Sequence, residues 1–201
     1  MTDTPEDAPR RFTAFAGERL IASGPLAAVL PSARAASDET LLIFADDNGD
    51  QIEPDWRLSD SDILAGFEPL SATEADKRVG RPKLGVVARE VTLLPRHWEW
   101  LASQPGGASA ALRKLVDQAR RDNVRADRAR RSQRAVDRVM YRLAGDLPLF
   151  EEAYRALYAK DFTTFDRLIA GWPADIRDHL RQLVATFARN LEPESQAKSD
   201  G

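Results

Sequence analysis

At 201 residues and 43% hydrophobic content, the chain has enough apolar material to bury a sizeable core in one large domain or two small ones. The absence of cysteine excludes disulfides, thiolate zinc sites and cysteine nucleophiles, and fits a reducing compartment. The formal charge of −3 hides a partition: residues 1–76 carry 5 basic and 16 acidic side chains, residues 77–142 carry 17 and 6, and the remainder 7 and 10.

In chain order, residues 1–10 read as disordered, and MTDTPEDAPRR holds no apolar signal core. FTAFAGERLIASG from Phe12 reads as two short strands around Gly17-Glu18, and PLAAVLPSARAA from Pro25 as a brief helix interrupted near Pro31. TLLIFADDNGDQIEPDW gives an apolar run, an Asn48-Gly49 turn and a further strand, because both turn residues tolerate positive φ. Residues 11–60 are therefore expected to form a ββαββ unit. Asp46, Asp47, Asn48 and Asp50 have the glycine before the third acidic position and no distal Glu, which favours a plain turn over a calcium loop. Residues 61–84, rich in Asp, Ser, Gly and Pro, read as a linker with at most one short helix.

The central stretch, residues 85–122, decides the functional reading. Val86 to Leu94 is extended in character, and Pro95 ends it while suiting the first position of the helix RHWEWLASQ. Pro105-Gly106-Gly107 closes that helix, and Ser109 is placed to cap a second one with Leu112, Leu115, Val116 and Ala119 on one face. RRDNVRADRARRSQR, residues 120–134, continues this helix with arginine on several faces. From Pro148 three apolar stripes follow: Phe150, Ala153, Tyr154, Leu157 and Tyr158; then Phe162, Phe165, Leu168 and Ile169; then, beyond a Trp172-Pro173 break, Ile176, Leu180, Leu183, Val184 and Phe187. Residues 123–191 are thus a helical region and 192–201 a disordered tail. The fold class expected is α+β: an N-terminal ββαββ unit, a strand-helix-turn-helix centre and C-terminal helices.

Leu94-Pro95, Gly107 and Ser109 resemble the ribbon-helix-helix DNA-binding pattern. That resemblance implies a homodimer whose paired strands enter the major groove while the second helix meets phosphate through its N-terminus. Aligned on Leu94-Pro95, the groove-facing residues are Arg89, Val91 and Leu93, or in the other register Ala88, Glu90 and Thr92. Neither set reads bases well, so phosphate-dominated binding is the expectation. Upstream, KRVGRPKLG is similar to the Gly-Arg-Pro core of an AT-hook arm, although Val79 stands where a basic residue is usual, and a proline-bearing linker explains it equally.

GRPKLGVVAREVTLLPRHWEWLASQPGGASAALRKLV, the LLIFADDNGDQIEPDW hairpin and WPADIRDHLRQL together resemble the bacterial family catalogued as domain of unknown function 2239. This resemblance implies bacterial origin and supplies no activity.

The expected nucleic-acid contacts are Arg78, Arg81, Lys83, Arg89, Thr92, Ser109, Arg113, Lys114, Arg120, Arg121, Arg125, Arg128 and Arg131. The competing reading is a protein-interaction or antitoxin-like assembly module, in which the basic centre pairs with the acidic N-terminal part or with a protein partner. His97 and His179 have no metal-ligand partner at helical spacing and read as surface or partly packed side chains. No catalytic residue, cofactor or metal is expected. No apolar run approaches the roughly 20 residues of a membrane span, and a cytoplasmic protein is expected.

Overall fold

The computed structural model describes residues 10–36, 40–67 and 89–192. The fold is α+β. Contact clustering divides the chain into two compact units, one of Met1–Phe67 with Arg125–Gly201 and one of Glu68–Val124.

In the first unit, strands β1 (Arg11–Ala16), β2 (Arg19–Pro25), β3 (Leu41–Ala45) and β4 (Gln51–Ile52) form an antiparallel sheet in the order β2-β1-β3-β4. Helix α1 (Leu26–Ala35) joins β2 to β3, so the ββαββ order is as the sequence implied. The Asn48-Gly49 turn closes β3 on β4: Gly49 has φ +70°, the Asn48 side-chain oxygen accepts from the Asp50 N–H at 2.9 Å, and Ala45 N–H donates to the Asp50 carbonyl at 2.9 Å. Asn48 and Asp50 brace this turn through side-chain hydrogen bonds, as a plain turn requires.

The sheet is covered on both faces, which the burial of five consecutive β1 residues requires. On one face Phe12, Ala14, Ile43 and Ala45 pack with Leu26, Val29, Leu30 and Ala33 of α1 and Ile63 of α2 (Asp60–Phe67). Arg34 ties the intervening segment down, donating to Asp60 Oδ1 at 2.7 Å and to the carbonyls of Trp56 and Leu58, both at 2.8 Å. On the other face Phe15 and Phe44 join a core built by the C-terminal part of α4 (Gly107–Ala144) and three further helices, α5 (Phe150–Tyr158), α6 (Phe162–Leu168) and α7 (Ala174–Leu191). The Asp175 carboxylate accepts from the Leu20 N–H at 2.8 Å and anchors the start of α7 to β2.

The three apolar stripes supply this core. A 3₁₀ turn at Ile169–Gly171 and Trp172-Pro173 separate the last two helices, and the Trp172 indole donates to the Pro148 carbonyl at 2.8 Å. Tyr158 departs from its stripe and is exposed.

Three local expectations are corrected. Helix α1 is not interrupted at Pro31, because Pro31 and Ala27, whose carbonyl loses its partner, both lie on the exposed side while the opposite stripe stays buried. Ser109 is not a cap: α4 begins at Gly107, since Gly106 and Gly107 at φ +84° and +75° turn the chain directly into the helix. Residues 89–94, described from the expected Val86–Leu94 strand, are a separate case: they pair with no strand among the described residues, and a ribbon formed between two chains requires no pairing within one. His179 is not at the surface; it is 3% exposed against Phe15.

In the second unit, Leu94 is extended and Pro95 takes the first position of α3 (Pro95–Ala102), as the sequence implied. The Pro105-Gly106-Gly107 turn follows and α4 leaves it. The expected tail from residue 193 and the start before residue 10 lie outside the described residues.

Candidate nucleic-acid interface

Every residue of α4 from Arg113 to Arg128 is exposed. The sequence explains why. Leu112, Leu115, Val116 and Ala119 mark one face, while Lys114, Arg121, Arg125 and Arg128 recur at helical spacing on another, flanked by Arg113, Arg120 and Arg131. An α-helix held by its own backbone bonds can carry such a face into water, where guanidinium groups keep their hydration.

Among the described residues, Arg113, Lys114, Arg120, Arg125, Arg128 and Arg131 make no ion pair. Arg121 donates to Gln118 Oε1 at 2.9 Å, a neutral partner that leaves its charge uncompensated. Aspartates interleaved along the helix take little of this charge: Asp122 accepts from Gln118 at 2.8 Å, and Asp127 pairs with Arg130. Within the first unit the acidic N-terminal part reaches the basic centre through Arg138, which binds Asp50.

Arg89 and Thr92 are exposed in the extended segment before α3, with Leu93 half-buried among them. Both registers of that segment therefore leave side chains in solvent. Ser109 is exposed in the first turn of α4. Arg78, Arg81 and Lys83 lie outside the described residues.

Sequence reasoning missed Arg130, Arg134 and Arg138, which with Arg131 line a concavity against the Asn48-Gly49 turn. Their recurrence along one helix was visible in the sequence. Their placement beside a hairpin some 90 residues away was not, since no local pattern encodes that approach. A Cβ on Gly49 would sit 2.8 Å from the Ala135 Cα and carbonyl oxygen, so the turn touches the α4 backbone directly.

Elsewhere in the first unit, burial depresses the His179 imidazole to about 4, leaving it neutral near pH 7, and raises the Asp46 carboxyl above its ordinary range. Among the described residues no group of three or more His, Cys, Asp or Glu side chains is placed to hold a metal ion, and no helix is long and apolar enough to cross a membrane.

No curated protein and no solved structure matches the chain. The sequence profile of one family matches residues 11–184, spanning the sheet, α1 to α6 and most of α7. The chain belongs to that family, DUF2239, described as an uncharacterized protein conserved in bacteria.

Proposed function

We propose that this is a DNA-associated bacterial protein that holds duplex DNA mainly through phosphate contacts from α4. One observation carries the reading: a solvent-exposed helix presents Arg113, Lys114, Arg120, Arg125, Arg128 and Arg131 without carboxylate partners among the described residues. Guanidinium groups in that state retain their attraction for a polyanion and release condensed counterions on contact. The reading includes a homodimer formed through Val86–Leu94, a cytoplasmic location, a role in transcriptional control and no catalytic activity. Arg89 and Thr92 then lie at the edge of the phosphate surface, since neither strand register offers a set of base-reading side chains.

The triple substitution Arg125→Ala, Arg128→Ala, Arg131→Ala tests it by fluorescence anisotropy on a labelled duplex. All three side chains are exposed, so thermal stability is expected to stay within about 0.5 kcal/mol of the parent while DNA affinity falls. Unchanged affinity in the folded variant rejects the reading.

A second reading, a protein-interaction or antitoxin-like module, is favoured by a different observation. In the second unit Trp100 is 51% and Val116 55% exposed, and Val91, Leu94, Trp98 and Leu115 are exposed as well. An apolar group of this kind is a common mark of a surface that meets another protein. Trp100→Ser with Val116→Ser removes partner binding on this reading and leaves DNA affinity unchanged.

A further inference from the structure

The concavity beside the Asn48-Gly49 turn differs in kind from the open face of α4. It encloses about 370 Å³ and is lined by Asp127, Arg130, Arg131, Arg134 and Arg138 on the helix and by Asn48 and Asp50 on the hairpin. Two of the arginines are occupied: Arg130 by Asp127 and Arg138 by Asp50. Arg131 and Arg134 have no ion pair or hydrogen bond among the described residues, although they stand at the same wall.

The walls are fixed before any ligand arrives. Gly49 is buried at φ +70° with its Cα against the Ala135 backbone, which leaves no room for the turn to settle closer. Asn48 and Asp50 lock each other, with the Asn48 amide donating to Asp50 Oδ2 at 2.5 Å. Arg138 also donates to the Asn48 carbonyl at 3.3 Å, and this joins hairpin and helix into one rim. Of the donors, Arg130 and Arg138 are held in place before binding and lose little entropy when an anion enters.

Charge selects the ligand. The four arginines and the aspartates Asp50 and Asp127 leave the lining at +2. A phosphate monoester carries about −1.5 to −2 near neutral pH, whereas each phosphodiester of a nucleic-acid backbone carries a single negative charge. We propose that the groove between the Asn48-Gly49 turn and Arg130, Arg131, Arg134 and Arg138 of α4 is a binding site for a phosphate dianion, as found on a terminal phosphate ester or free phosphate. Arg131 and Arg134 supply the uncommitted guanidinium forks, and Asp50, which pairs with Arg138, is the internal competitor. The site shares Arg131 with the duplex-binding reading but does not rest on that reading, because a small ester fills it as well as a strand end.

Calorimetric titration of the full chain with methyl phosphate at low ionic strength and about pH 8, where the ester is a dianion, tests the proposal. One site per chain is expected, with dimethyl phosphate, a monoanion, binding at least about tenfold more weakly. Arg131→Gln with Arg134→Gln is expected to weaken methyl phosphate by about tenfold or more at unchanged thermal stability. Asp50→Asn, which removes the competing carboxylate, is expected to tighten it about threefold and serves if the double variant fails to fold. Equal affinity for the two esters, undiminished binding by the folded double variant, weaker binding by Asp50→Asn, or no saturable binding overturns the proposal. A 5′-phosphorylated duplex binding more tightly than its 5′-hydroxyl counterpart identifies a strand end as the source of the ester; equal duplex affinities alongside methyl phosphate binding identify a small phosphate ester. Loss of duplex binding with methyl phosphate binding intact rejects the DNA reading alone.

Discussion

The two compact units solve the burial problem differently. The first closes two apolar clusters, one on each side of its sheet, around fully buried Phe15, Phe44, Ile43 and Leu30. In the second, the buried apolar side chains among the described residues are Leu101 and Ala111, while two tryptophans and several aliphatic side chains meet solvent. Helix α4 shows the contrast within one element: exposed throughout from Arg113 to Arg128, then buried at Ala129, Ser132, Ala135, Val136, Val139 and Met140. The lesson is that helix formation and burial are separate matters. Backbone bonding and side-chain propensity carry α4 through water, and packing begins where small and apolar residues return at i, i+3 and i+4.

That contrast breaks most severely in the first unit. Phe44→Ala should cost about 3–5 kcal/mol in chemical denaturation, because the fully buried ring cannot be replaced by collapse of two opposed layers. Gly49→Ala should cost roughly 3 kcal/mol or more, combining the left-handed backbone with overlap against the Ala135 backbone. Leu115→Ser with Val116→Ser, on the exposed face of α4, should leave the same denaturation transition within about 0.5 kcal/mol. A loss as large as that of Phe44→Ala would show that this face is buried in solution.

A pH effect of intermediate size separates the interior from the surface. The folded His179 value, depressed by burial to about 4 from 6.5, means that the unfolded chain binds the extra proton between those limits. Stability is therefore intact above about pH 6.5 and falls as pH drops towards 4, by at most about 3 kcal/mol from this group. Asp46, raised by burial, acts in the opposite direction, since its protonated form is favoured in the folded protein. Comparison with His179→Phe isolates the histidine, and the substitution should flatten the acid limb of the stability profile. An unchanged acid limb would contradict the buried neutral imidazole. A loss of about 1 kcal/mol is expected from Asp161→Ala, through removal of the bond from Thr164 N–H at 3.0 Å that caps α6.

Much of the first unit was legible because its signals are local. Asn48-Gly49 fixes its own turn, Trp172-Pro173 separates α6 from α7, and periodic apolar residues mark the helices. Pro31 was misread because helix continuity depends on which side of α1 faces water. Ser109 was misread because a glycine pair with positive φ starts α4 at Gly107, ahead of the start that a Ser109 cap implies. His179 read as a surface or partly packed residue beside Asp178, yet its place on α7 buries it against Phe15, a contact between residues distant in sequence. Of the interface, the exposed arginines of residues 120–134 followed from arginine recurring on several faces of the helix. The groove did not, because Arg134 and Arg138 acquire their setting only when the hairpin packs on the helix.

The central claim is that the guanidinium groups along α4 remain available to a polyanion, and the salt dependence of duplex DNA binding tests it most directly. Plotting the logarithm of affinity against the logarithm of salt concentration should give a straight line with a slope near −0.9 for each phosphate neutralised, so that losing Arg125, Arg128 and Arg131 makes the slope shallower by about 2.7. An affinity that barely moves with salt, or no binding below about 100 μM at low salt, would contradict the account.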